Sequence, residues 1–183
     1  MAGFSSLKGF LLNKELTKKL ARLERQRAFY NLESAKTIGV VFDASTENDY
    51  NKVASFVRHI QTFQKTVKAL GYVKYKDLPH FIHQRVTYDF ILSKDLAFNG
   101  RPQNAFVKDF LKTEFDLLID FNLDLLPPLK YITALSIAKC KVGLMSNEMK
   151  THYDLMIQGV EPSDLSRFIK EVLSLLEDLQ PKK

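Results

Sequence analysis

For residues 37–179 the sequence predicts a three-layer α/β domain, Rossmann-like or flavodoxin-like, with a mainly parallel sheet of five to six strands. Three observations predict it. From Thr37 onward, short apolar runs alternate with amphipathic stretches, the pattern of strand, crossover helix and parallel strand. The run FDLLIDF (115–121) is almost continuously apolar, as a strand covered on both faces must be. Helix punctuation falls between the runs: Ser45 and Thr46 before one amphipathic stretch, Pro127 and Pro128 at the start of another.

The elements follow in order. Residues 6–32, within an N-terminal segment spanning 1–34, lack Pro and are rich in Lys, Leu, Glu, Ala and Arg, which predicts one long helix. At 100° per residue, Leu12, Leu16, Leu20 and Leu23 share a narrow arc, and Lys14, Lys18, Arg22 and Arg25 lie opposite. TIGVVFD (Thr37–Asp43) reads as a strand. Val53, Phe56, Val57, Ile60, Phe63, Val67 and Leu70 then recur at spacings of three and four, predicting a helix that stops at Gly71 before a strand at 72–76.

Residues 77–101 carry one short strand, YDFIL (Tyr88–Leu92), in a connection long enough to suggest a functional role. After Pro102 a helix to about Thr113 leads into the 115–121 strand, and the helix opened by Pro127 runs to about Ala138. CKVGL (Cys140–Leu144) and YDLMIQ (153–158) are further strands, the second alternating as an edge strand does. A last helix covers 163–179, and residues 180–183 form a tail.

Net charge is +6, and its position matters more than its size. Between Lys8 and Arg27 seven basic residues face two acidic ones, whereas the rest of the chain holds 20 basic and 19 acidic residues. The excess sits on the N-terminal helix, where Lys14, Lys18, Lys19, Arg22 and Arg25 are the candidate nucleic-acid contacts. Such a face releases counterions from RNA with little regard for sequence. The same charges suit an anionic membrane surface. The leucine stripe Leu12, Leu16, Leu20, Leu23 is a candidate protein contact.

Other chemistry is disfavoured. In a parallel sheet the ligand crevice lies outside the carboxyl ends of the strands, which marks Asp43, Asp120, Asn122 and Asp124 as a candidate rim for a ligand or Mg²⁺. Each also has a structural explanation, ending a strand or capping the next helix, and Asp120 is assigned that role. The first strand-to-helix turn, FDASTEND, has no glycine to let backbone N–H groups approach a phosphate. His80 and His83 have metal-ligand spacing without an evident third ligand, no GxSxG nucleophile motif occurs, and no cofactor or metal is expected. The single Cys140 excludes an internal disulfide, and the longest early apolar run, FLL, is too short for a signal core or a membrane span. Both predict a cytoplasmic protein without a transmembrane segment.

The stretch FDLLIDFNLDLLPPLKYITALSIAKCKVGL (115–144), with KTIGVVFDAS before it and YDLMIQ after it, resembles a small uncharacterised Bacteroidota protein family of about this length. Its apolar strand ending in Asp, its helix and its AKCKVG also resemble the N-terminal Rossmann-like domain of heptosyltransferase-type glycosyltransferases. That likeness implies a nucleotide-sugar site largely on a second domain, and the present chain ends where that domain would begin. The sequence therefore predicts a non-enzymatic protein that binds RNA or a ribonucleoprotein surface through its basic helix. An enzyme or small-ligand binder using the carboxyl-end rim, of degenerate glycosyltransferase type, and a protein-interaction or membrane-surface module are the alternatives.

Overall fold

The structure, a computed structural model, describes residues 2–83 and 85–179. The expected tail at 180–183 lies outside them. Helix α1 (Ala2–Leu20) precedes β1 (Thr37–Asp43), α2 (Glu47–Thr62), β2 (Thr66–Val73) and β3 (Tyr88–Leu92). Then come α3 (Ala105–Lys112), β4 (Leu117–Phe121), α4 (Pro127–Leu135), β5 (Cys140–Leu144), β6 (Leu155–Ile157) and α5 (Leu165–Asp178). The six strands form one sheet in the order β3-β2-β1-β4-β5-β6, every neighbouring pair parallel. This is the Rossmann rather than the flavodoxin order.

Strand alternation sorts the core into two layers. Ile38, Val40 and Phe42 of β1 and Leu117, Ile119 and Phe121 of β4 pack with α2 and α5. Val41 and Leu118 pack with α3 and α4. Helix α2 buries Tyr50, Val53, Ala54, Phe56, Val57 and Ile60, and the Thr46 hydroxyl accepts from the Asp49 N–H at its start, a cap worth about 1 kcal/mol. Among the described residues no helix fills the β2–β3 connection. Residues 74–83 and 85–87 lie there instead, with Ile82 buried and Phe81 against Tyr50 at 6.0 Å between ring centroids.

Two expected boundaries move. The α2 helix stops at Thr62, and the stretch read as its continuation is β2. Val67 and Leu70 fit a helical spacing, yet in the strand they occupy opposite layers, Val67 with α2 and Leu70 with α3. Gln64, at φ 58°, makes the reversal without a glycine to announce it. Gly71 therefore stops no helix. It lies inside β2, where a Cβ would come within 2.9 Å of the Phe90 ring.

The N-terminal helix is also shorter than expected. It ends at Leu20, and residues 23–30 run as a strap without regular structure, because tertiary partners outweigh helix propensity there. The Ala28 N–H donates to Lys139 O at 3.2 Å, the Leu32 N–H donates to Leu176 O at 2.9 Å, and Arg25 is drawn into an ion pair with Asp154.

Candidate functional site

The buried side of α1 faces α4. Leu12 packs on Tyr131 and Leu135, with Leu16, Leu20 and Leu111 around them. Polar groups fix the same contact. Lys19 Nζ donates to the Tyr131 hydroxyl at 2.6 Å, and that hydroxyl donates to Glu15 Oε1 at 3.2 Å. Glu15 also accepts from Asn99 Nδ2 at 3.1 Å and lies 3.5 Å from Arg101 Nε. Burial would raise the Glu15 pKa, but Asn99, Lys19 and Arg101 outweigh it and hold the carboxyl below its ordinary value. Of the leucine stripe proposed as a protein contact, Leu12, Leu16 and Leu20 thus meet this chain's own α4, and Leu23 lies past the end of α1.

This docking divides the basic residues. Lys14, Lys18 and Arg22 are exposed on the outward side, and none of the three makes an ion pair among the described residues. Lys19 leans inward on Tyr131 and Glu15. Arg25 leaves the face altogether: its side chain is 8% exposed and bonds both oxygens of the Asp154 carboxylate. The outward side has a feature that the charge pattern had hidden. Leu7, Phe10 and Leu11, one and two turns before the cations, are 50%, 63% and 37% exposed.

The rim at the carboxyl ends is a second candidate. β1 and β4 are adjacent and parallel, so the switch point of strand order lies between them. A crevice of about 210 Å³ opens there, lined by Asp43, Asp49, Phe121, Leu123, Asp124 and Ser163 among others. Asp43 Oδ1 accepts from the Ser45 N–H at 2.8 Å, and Asp49 accepts from the Thr46 hydroxyl at 2.7 Å. Asp49 was missed as a rim residue, although its place three residues after the Thr46 cap was a usable signal. Among the described residues no three His, Cys, Asp or Glu side chains are arranged to hold a metal ion, His80 and His83 included.

Two of the expected rim residues are not on the crevice. Asn122 is buried and closes its own turn, its Oδ1 accepting from the Leu126 N–H at 2.8 Å. Asp120, 1% exposed, belongs to the α4 layer, opposite Phe121. Its Oδ1 accepts from the Asn122 N–H at 2.8 Å and its Oδ2 from the Tyr153 hydroxyl at 2.8 Å. Burial pushes its pKa up to about 6, against the pull of those donors and of Lys141.

Lys141 is the residue that sequence reasoning passed over, although a lysine inside the apolar CKVGL is itself a signal. Its side chain is buried, and Nζ donates to Thr133 O at 2.7 Å and to Ala134 O at 3.1 Å, carbonyls at the C-terminal end of α4. Cations favour that end of a helix. Burial nevertheless pushes its pKa down to about 7, with Arg25 and Arg27 acting in the same direction.

A family model described as a family of unknown function, DUF6913, matches residues 8–179. The chain belongs to that family. In DUF6913 terms the matched region takes in most of α1, the strap and the whole sheet, so the basic helix and the α/β domain fall within one family unit. No curated protein and no solved structure matches the chain. Among the described residues no helix is long and apolar enough to cross a membrane.

Proposed function

We propose that this DUF6913 chain is a non-enzymatic cytoplasmic protein that binds RNA or a ribonucleoprotein surface through the outward side of α1. The observation that supports it is the row of Lys14 and Lys18 on α1 and Arg22 just past its end, exposed and, among the described residues, in no ion pair, beside a helix whose other side is anchored to α4. Arg25 is committed to Asp154, and Lys19, although exposed, is tied to Tyr131 and Glu15, so the three outward residues are the ones to test first. The test is RNA binding against salt. Changing the three residues to Gln should preserve the fold and flatten the slope of log affinity against log salt by about 2 to 3, as each phosphate contact contributes roughly 0.7 to 0.9. Failure of the purified protein to retain RNA at low ionic strength would overturn the reading.

A second reading has its own support. Leu7, Phe10 and Leu11 form an exposed apolar ridge ahead of the cations, a combination suited to an anionic lipid surface. Vesicles rich in phosphatidylserine, tested in the same buffers, separate the two. Binding to vesicles but not to RNA, lost on Phe10→Ser, favours the lipid reading. An enzyme at the switch point has less support, because the crevice is lined by carboxylates and the β1 turn lacks a glycine to receive a phosphate. We read the likeness of residues 115–144 to heptosyltransferase-type enzymes as shared architecture.

A further inference from the structure

A small pocket beyond the C-terminal end of α1 has a chemistry unlike the rest of the surface. Its volume is about 260 Å³, and its polar lining is Arg25, Arg27, Lys141, Thr151 and His152, with Leu23 on the apolar side. At roughly 30 Å³ per liquid water, it has room for about nine waters, and so for one oxyanion with a short organic group attached. All the charged lining residues are cationic. The compensating carboxylate, Asp154, is bonded to Arg25, lies 3.6 Å from Arg27 Nε, and accepts the Lys141 backbone N–H at 2.8 Å. Two arginines share one carboxylate, so positive charge is in excess before Lys141 is considered.

One buried donor there lacks an acceptor among the described residues. Arg25 Nε is buried and has no hydrogen-bond partner, although the side chain is 8% exposed and held by Asp154 through its terminal nitrogen. An unpaired buried donor is costly, and a ligand acceptor removes that cost. Lys141 Nζ spends two N–H bonds on Thr133 O and Ala134 O. A neutral amine has only those two. The ammonium form has a third, which calls for an acceptor. Burial and the two arginines depress the Lys141 pKa, and burial with Lys141, Lys130 and Arg25 depresses that of His152, so an anion in the pocket would relieve strain at both.

We propose that this pocket binds a phosphate group. A carboxylate offers two oxygens in one plane, whereas the donors here belong to separate elements, the strap (Arg25, Arg27), β5 (Lys141) and the loop before β6 (Thr151, His152). A phosphate presents three oxygens in three directions and accepts bidentate arginine bonds. The site is separate from the outward side of α1 and does not depend on the RNA reading.

The test titrates inorganic phosphate into the full chain by calorimetry and by thermal melting, against chloride at matched ionic strength. Phosphate should raise the melting temperature above the chloride control, and Arg27→Gln and Thr151→Val should each weaken its affinity at least tenfold. Both residues are exposed, so the variants should fold. The Lys14, Lys18, Arg22 triple Gln variant should keep full phosphate affinity, which separates failure here from failure of the RNA reading. A 5′-phosphorylated RNA oligomer compared with its 5′-hydroxyl form distinguishes sources. A preference for the phosphorylated end that Arg27→Gln abolishes assigns the pocket to RNA termini, and equal binding assigns it to free phosphate compounds. No difference between phosphate and chloride, or unchanged affinity in both single variants, overturns the proposal.

Discussion

Tyr153 lies across Gly143 and donates its hydroxyl to Asp120 Oδ2 at 2.8 Å, joining the loop before β6 to the end of β4 through the α4 layer. Burial and the Asp120 carboxylate both raise the Tyr153 pKa, so the phenol stays protonated and remains the donor. This pairing accounts for Asp120. It is occupied within the fold and unavailable at the carboxyl-end crevice.

The pairing has a pH signature. The Asp120 pKa is about 6 in the folded chain and about 3.9 in an unfolded one, so between these values the folded state holds the extra proton. Stability contributed by the protonated carboxyl is greatest below pH 4 and declines as pH rises to 6. Asp120→Asn has no such decline. Denaturant unfolding of both proteins at pH 4.5 and 7.5 should show the difference, wild type minus variant, shrinking at the higher pH, by on the order of 2 kcal/mol. An unchanged difference would mean that Asp120 ionises normally.

Gly143→Ala should be destabilising through contact. The added Cβ would stand 2.2 Å from Tyr153 Cζ, so the ring must move and its bond to Asp120 must break. A loss of about 1–3 kcal/mol is expected from overpacking. In a Tyr153→Ala background the same substitution should cost much less, which double-mutant unfolding curves would measure.

The Arg25–Asp154 pair should behave as a buried one. Asp154→Ala leaves Arg25 uncompensated and should cost about 3–5 kcal/mol, whereas Arg25→Met combined with Asp154→Ala should cost less than Asp154→Ala alone. Chemical denaturation of the three variants checks the order. A double variant less stable than the single one would reject it.

Docking of α1 can be tested at Leu12. Leu12→Ala removes the side chain packed on Tyr131 and Leu135 and should weaken the contact by about 2 kcal/mol. Limited proteolysis within the strap at 21–30 should accelerate, while protection of β1 and β4 in hydrogen exchange stays unchanged.

Alternation made the architecture readable. Thr37–Asp43, Tyr88–Leu92 and Cys140–Leu144 were placed to the residue, because apolar runs bounded by polar residues have few other meanings. Val67 and Leu70 were misplaced because a spacing of three satisfies a helix as well as two faces of a strand. For the site, the strand-end position of Asp43 was legible, but the layer that Asp120 joins was not. Period two says that Asp120 and Phe121 diverge, without saying which meets α4. The end of α1 was illegible for another reason, since the partners of Arg25, Ala28 and Leu32 lie more than a hundred residues away.

That separation has a consequence during synthesis. Leu12, Glu15 and Lys19 find their partners at residues 99–135, and Arg25, Ala28 and Leu32 find theirs at 139–176, yet the N-terminal segment leaves the ribosome first. Until α4 has emerged, a leucine-striped, strongly cationic segment stands without its cover, close to a ribosomal surface made largely of RNA. A chain truncated before α4 would therefore keep that segment in its nascent, uncovered state, whereas one truncated within α5 would retain the partners of Leu12, Glu15, Lys19, Arg25 and Ala28.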